Sequence, residues 1–158
     1  MSESLQFDVI ISGAGPAGAA CVLALKNSGL KIAWVDKHSF PRDKVCGDAI
    51  PSNVQKVLSG IDEVLLNDFL TSFPTKNTVE GCRLIAPDFS HFDLTFVRKG
   101  HAAKRIDFDN YLFNLACQHN PLVTFFKSDP VTDVSNSNGE AQVKLLSGIT
   151  LRSEIIVG

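Results

Sequence analysis

The chain has 158 residues, 44% hydrophobic and 20% charged, and its 15 basic and 17 acidic side chains leave a formal net charge of −2. These proportions exclude a disordered or collagen-like chain, and without a Lys/Arg block the electrostatic footprint of a nucleic-acid-binding protein is missing. A chain of this length hides roughly 68–70% of the surface its unfolded form exposes, enough for one core without disulfides or metals.

The N-terminus carries Glu3 and Asp8 rather than a basic stretch. The apolar run that follows is broken by Gly13, Gly15, Pro16 and Gly18, so neither a signal peptide nor a membrane span is expected. Cys21, Cys46, Cys82 and Cys117 form no C-x-x-C pair, and His38, His91, His101 and His119 have no ligand spacing with them. The expectation is a cytoplasmic protein with reduced thiols and no structural zinc.

Residues 7–11 (FDVII) form a short β-rich run that predicts a strand buried on both faces. Pro16 suits the first position of a helix over residues 17–28, with Gly29 as its stop, and residues 31–35 (KIAWV) read as a second strand. Strand, helix and strand together have the length of a parallel βαβ crossover. Residues 37–50 read as a loop, followed by helical spacing over residues 53–58 and a short helix over 62–70. Residues 79–86 and 91–97 flank a Pro87-Asp88 turn as an antiparallel hairpin would. The late helix over 107–119 places Phe108, Leu112, Leu115 and Ala116 on one stripe, with Asp107 as its expected N-cap. Strands are expected at 123–126, 131–134, 141–146 and 150–157, separated by the turn texts NSNG and SG: one strand followed by a three-stranded meander. With no repeat or linker, the expectation is a single domain over residues 1–158.

The chemistry sits in Gly13-Ala14-Gly15-Pro16-Ala17-Gly18, a G-x-G-x-x-G between a strand and a helix. The first glycine permits a tight turn, the second lets backbone N–H groups approach a pyrophosphate, and the third lets helix and strand pack closely. Asp36 closes the second strand 18 residues after Gly18, where a carboxylate can accept hydrogen bonds from an adenosine ribose. Its negative charge also disfavours a 2′-phosphate at the same place. Trp34, inside the second strand, reads as core.

GAGPAG followed by Gly29 and Asp36 resembles the FAD-binding start of the p-hydroxybenzoate-hydroxylase-like flavoproteins. Residues 40–47 (FPRDKVCG) resemble the PR-x-K-x-CG stretch of the geranylgeranyl-reductase branch, and residues 105–112 (RIDFDNYL) the R-x-x-F-D-x-x-L element of the superfamily. The resemblance implies a Rossmann-like α/β FAD/NAD(P)-binding fold, a parallel sheet plus a β-meander, in which Gly13, Gly15, Pro16, Ala17 and Gly18 hold the FAD pyrophosphate. Asp36 would hold the ribose with Lys37 beside the adenine. Arg42, Cys46 and Gly47 would run beside the cofactor, Arg105 would reach its phosphate or ribityl region, and Val131 would offer backbone groups to adenine. The family acid at this position is often glutamate, so the shorter Asp36 needs a closer ribose.

Three of these positions also have a simpler reading. Arg42 as a loop cation is commonly solvated, Cys46 as a free thiol behaves as a small hydrophobe, and Arg105 can cap the late helix or pair with Asp107 or Asp109. No residue is assigned as catalytic, Cys46 being the weak candidate. Residues 154–158 (EIIVG) resemble the strand leading into the family's G-A-D-G element, and the later G-D element and substrate sheet have no counterpart here. The expectation is therefore a truncated FAD-binding portion that by itself binds FAD weakly or folds poorly. The complete flavin-dependent oxidoreductase would be a reductase or a monooxygenase with a small, apolar or prenyl-type substrate and NAD(P)H as a candidate electron donor. The alternative is a non-catalytic dinucleotide-binding module. Oligomeric state is not legible.

Overall fold

The computed structural model describes residues 4–137 and 139–158. The chain divides into two compact units, Met1–Arg42 with Asp109–Gly158, and Asp43–Phe108.

In the first unit, β1 (Ser4–Gln6), β2 (Val9–Ser12), α1 (Pro16–Ala24) and β3 (Ile32–Asp36) follow in order. The chain returns through α4 (Arg105–His119), whose first residues belong to the other unit, then β7 (Val123–Lys127), β8 (Val131–Ser137), β9 (Glu140–Leu145), β10 (Thr150–Ser153) and β11 (Ile155–Val157). Strands β11-β2-β3-β7 form a parallel sheet and β1-β10-β9-β8 a second sheet. The central strands are buried at every position except Ser12, which is why VII and IAWV read as unbroken apolar runs. Ile10, Ala33 and Val35 on one face pack against Val143, Leu145 and Leu151 of the meander. Trp34 lies on the opposite face, stacked on Phe113 of α4 at 5.1 Å and edge-on to Phe125 at 5.5 Å.

Several sequence expectations need correction. The first expected strand, residues 7–11, is found as β2, which starts at Val9 in the parallel sheet; an unexpected strand, β1, precedes it and pairs in parallel with β10, so the chain changes sheets at residues 7 and 8. Likewise the expected strand 150–157 breaks at Glu154, where Ser153 Oγ donates to the Ile155 carbonyl at 2.7 Å, and β10 and β11 enter different sheets. Helix α1 stops at Ala24 rather than Ser28. Beyond it Lys26 and Ser28 donate to carbonyls three residues back, the tighter pattern common at helix ends, and Gly29 then turns the chain at φ +75°. The expected NSNG turn joins β8 to β9, with Asn138 outside the described residues.

The second unit contains β4 (Ala49–Ile50), α2 (Asn53–Ile61), α3 (Glu63–Ser72), β5 (Asn77–Ile85) and β6 (His91–Ala102). Strand β4 lies inside the expected loop, and β6 runs on past residue 97 to pair with it. Phe69, Phe73 and Phe108 form an aromatic core with ring centroids 5.9–6.3 Å apart. The β5–β6 hairpin turns at residues 86–90, where Asp88 accepts from both the backbone and the hydroxyl of Ser90. Between the pairs Val79↔Gly100 and Gly81↔Thr95, residues 96–99 of β6 stand opposite Glu80 alone, a large bulge in β6.

Helix α4 starts two residues earlier than expected. Asp107 lies in its first turn, and the helix-start amide of Arg105 donates at 3.2 Å to the Asp48 carboxylate, so the cap comes from a distant loop rather than from Asp107. The predicted stripe of Phe108, Leu112, Leu115 and Ala116 is buried.

Candidate functional site

The glycine turn of the first unit is built around close approach. Gly13 adopts φ +102°, and its N–H donates to the Val35 carbonyl at 2.7 Å. Its own carbonyl accepts from the Trp34 indole at 3.0 Å, so the buried Trp34 locks the turn from below. A Cβ on Gly18 would lie 1.9 Å from the Gly13 carbonyl oxygen, which explains the third glycine.

Asp36 is buried at the end of β3. One carboxylate oxygen accepts from the Ala14 amide at 2.6 Å and the other from the His38 amide at 2.8 Å. The side chain thus ties the glycine turn to β3, a role the spacing did not reveal. Because a carboxylate offers about four lone-pair sites, acceptor capacity for ribose hydroxyls remains.

Helix α1 begins at Pro16 with Gly15 extended, no side-chain cap and no acidic residue in its first turn. Arg42 lies beside it, with one terminal guanidinium nitrogen 3.2 Å from where a Gly15 Cβ would stand. That guanidinium pairs with the fully buried Asp109 carboxylate at 3.3 Å, while its Nε is buried without a hydrogen-bond partner. Arg42 is therefore not the solvated loop cation that its sequence context allowed. An open helix N-terminus beside a guanidinium is a donor set that suits a pyrophosphate. Lys37 is exposed next to Asp36, and Val131 begins β8, packed against the Val143–Leu145 cluster.

Cys46, Gly47 and Arg105 belong to the second unit. Cys46 is exposed, and the Arg105 guanidinium hydrogen-bonds its thiol. With further backbone hydrogen bonds at Asp48 and Gly47, this holds the Cys46 pKa below the ordinary thiol value. Asp48 has φ +56°; its carbonyl accepts from the Ala103 amide at 3.0 Å and its carboxylate from the Arg105 amide. Sequence reasoning named Cys46 and Arg105 separately but missed Asp48, which joins them; only the polar Gly47-Asp48 pair hinted at a turn there.

The thiol shift has a direct readout. Alkylation of Cys46 by iodoacetamide, followed site by site by mass spectrometry, should rise with pH through a midpoint below that of an ordinary thiol. Arg105→Leu should move the midpoint up, because the cation that favours the thiolate is gone. An unchanged midpoint in that variant contradicts the Arg105 contact.

This two-sheet Rossmann-type fold is similar to that of solved flavin-dependent enzymes. The chain superposes on the halogenase PltM in complex with phloroglucinol and FAD with a TM-score of 0.79 at 18% identity, covering 95% of this chain and 33% of that one. In sequence it is 29% identical over 119 residues to the 1H-pyrrole-2-carbonyl-[peptidyl-carrier protein] brominase of Pseudoalteromonas luteoviolacea, covering 75% of this chain and 28% of the brominase. It is 32% identical over 88 residues to the digeranylgeranylglycerophospholipid reductase of Sulfolobus acidocaldarius, covering 54% of this chain and 18% of the reductase. No protein-family profile matches. The chain spans about a third or less of each of these proteins. Among the described residues no helix is long and apolar enough to cross a membrane.

Proposed function

We propose that the chain is the FAD-binding portion of a flavin-dependent oxidoreductase, its first unit holding the ADP half of the cofactor. The observation that carries this reading is the Arg42 guanidinium beside the open start of α1, with the Asp36 carboxylate at the end of the adjacent strand. The first-turn amides at Ala17 and Gly18 and the Arg42 guanidinium take the pyrophosphate, and Asp36 takes the ribose. Lys37 and the backbone of Val131 flank the adenine. Cys46 and Gly47 run along the flavin, and Arg105 faces its phosphate or ribityl region.

When bound, FAD supplies the two-electron chemistry, and the protein's part is to orient it and exclude competing reactions. The whole enzyme reduces or oxygenates a small apolar substrate, with NAD(P)H as electron donor, in the cytoplasm. The resemblance of the PR-x-K-x-CG stretch favours the reductase branch.

Calorimetric titration separates the parts of this reading. FAD and ADP should compete for one site and FMN should not, because the first unit recognises the adenosine half. The wild-type chain should prefer ADP over 2′-deoxy-ADP, and Asp36→Ala should weaken ADP about tenfold while erasing that preference. Equal binding of FMN and ADP, or a preference that survives in Asp36→Ala, overturns the assignment.

A further inference from the structure

The outer part of the β5–β6 hairpin stands on two strands alone, because β4 pairs only with His101 and Ala102 of β6. Its two faces differ. Cys82 pairs with Leu94 and Leu84 with Phe92, and since alternate residues of a strand share a side, these four form one apolar face that Phe96 extends at the start of the bulge. Arg83 and Asp93, joined by hydrogen bonds of 2.6 and 2.8 Å, stand on the other face with Thr95 and Ile85. On the apolar face Leu84 is 57% and Phe92 62% exposed, and Leu94 and Phe96 are each 40% exposed. A two-stranded hairpin is marginal in water unless something packs on it.

Charge and area select the cover. Residues 77–102 hold three cations, Arg83, Arg98 and Lys99, and three carboxylates, Glu80, Asp88 and Asp93. Arg83 pairs with Asp93 and Lys99 with Glu80, so the hairpin presents no net charge. Such a face does not select a strongly charged partner or an anionic lipid surface, yet it meets its own copy without like-charge repulsion. The exposed parts of Leu84, Phe92, Leu94 and Phe96 amount to roughly 400 Å² of apolar surface. At the roughly 65% apolar content of homodimer interfaces, a like-on-like contact buries about 1,200 Å² in all, the lower bound of a specific, stable interface. We propose that this face docks on the same face of a second copy of the chain, the two related by a twofold axis. Association through it needs no cofactor.

Sedimentation equilibrium of the full chain over about 5–500 µM, a range that brackets an interface of minimal size, should show the mass rising from 17.1 kDa toward twice that value. Leu84→Ser with Phe92→Ser should weaken association about a hundredfold or more. Ile85→Ser, on the opposite face and 64% exposed, should leave it unchanged. All three side chains are exposed, so the fold should survive, and circular dichroism checks it. Bismaleimidoethane should join two copies through Cys82, on the docking face, and mass spectrometry should locate the bridge there rather than at the exposed Cys46 or Cys117. A monomer over the whole range leaves the face to another segment or protein and overturns the proposal. So does a mass that climbs past the dimer, a dimer that persists in the double variant, an equal loss in Ile85→Ser, or a bridge confined to other cysteines.

Discussion

Gly18→Val should destabilise the first unit by about 3 kcal/mol, at the upper end of what overpacking costs. The reason is positional. A Cβ at residue 18 would lie 1.9 Å from the Gly13 carbonyl oxygen and 3.1 Å from the Trp34 indole nitrogen, and neither neighbour is the free end of a flexible chain. Gly13 is held by its amide bond to Val35, and its carbonyl by Trp34, whose ring is fully buried. Relief therefore requires α1 to move off β2 or the glycine turn to open, and either movement spoils the donor set at the helix start. Urea unfolding should show a lowered midpoint, and ADP binding should be lost even where the fold survives. Gly29→Ala is the control: φ +75° strains it, but no atom stands in the way, so it should cost about 1 kcal/mol and leave ADP binding intact. Equal losses in the two variants would show that backbone conformation, not close packing, governs the motif.

Arg42→Met should cost about 3 kcal/mol, because it removes the cation that stands 3.3 Å from the fully buried Asp109 carboxylate. Asp109→Leu should cost less. The guanidinium it strands is partly exposed, with 15% of the side-chain surface accessible, so water relieves some of the penalty. The double variant Arg42→Met/Asp109→Leu should regain much of the loss, since replacing a buried pair by apolar side chains of similar size is often neutral. Ligand binding gives a second, independent readout. Asp109→Leu keeps the guanidinium and should keep ADP binding, whereas both variants lacking Arg42 should weaken it about tenfold or more. If the double variant binds ADP like the wild type, Arg42 has only a structural role.

Much of the candidate site was legible because it is local. A glycine turn between an apolar strand and an alanine-rich segment, and an acid at the end of the next strand, follow from backbone freedom, helix-start chemistry and strand burial over 30 residues. The sheet-changing points were not legible. Residues 7–8 and Glu154 carry no breaker stronger than their neighbours, and β1 and β11 are short strands identified by pairing partners far away in sequence. The end of α1 was misplaced because Ser28 and Gly29 are good stop residues, yet the helix tightens before reaching them.

By itself, the sequence determined the strand–glycine turn–helix–strand unit, the stripe of α4 and the hairpin, all set by periodicity and conformational preference among near neighbours. Tertiary structure alone decided what the charges do. Arg42 is committed to Asp109, Arg105 to Cys46, and Asp48, 57 residues before Arg105, caps its helix. A charge has no period to betray its partner; its energy depends on distance and burial, and both are set only when remote segments pack.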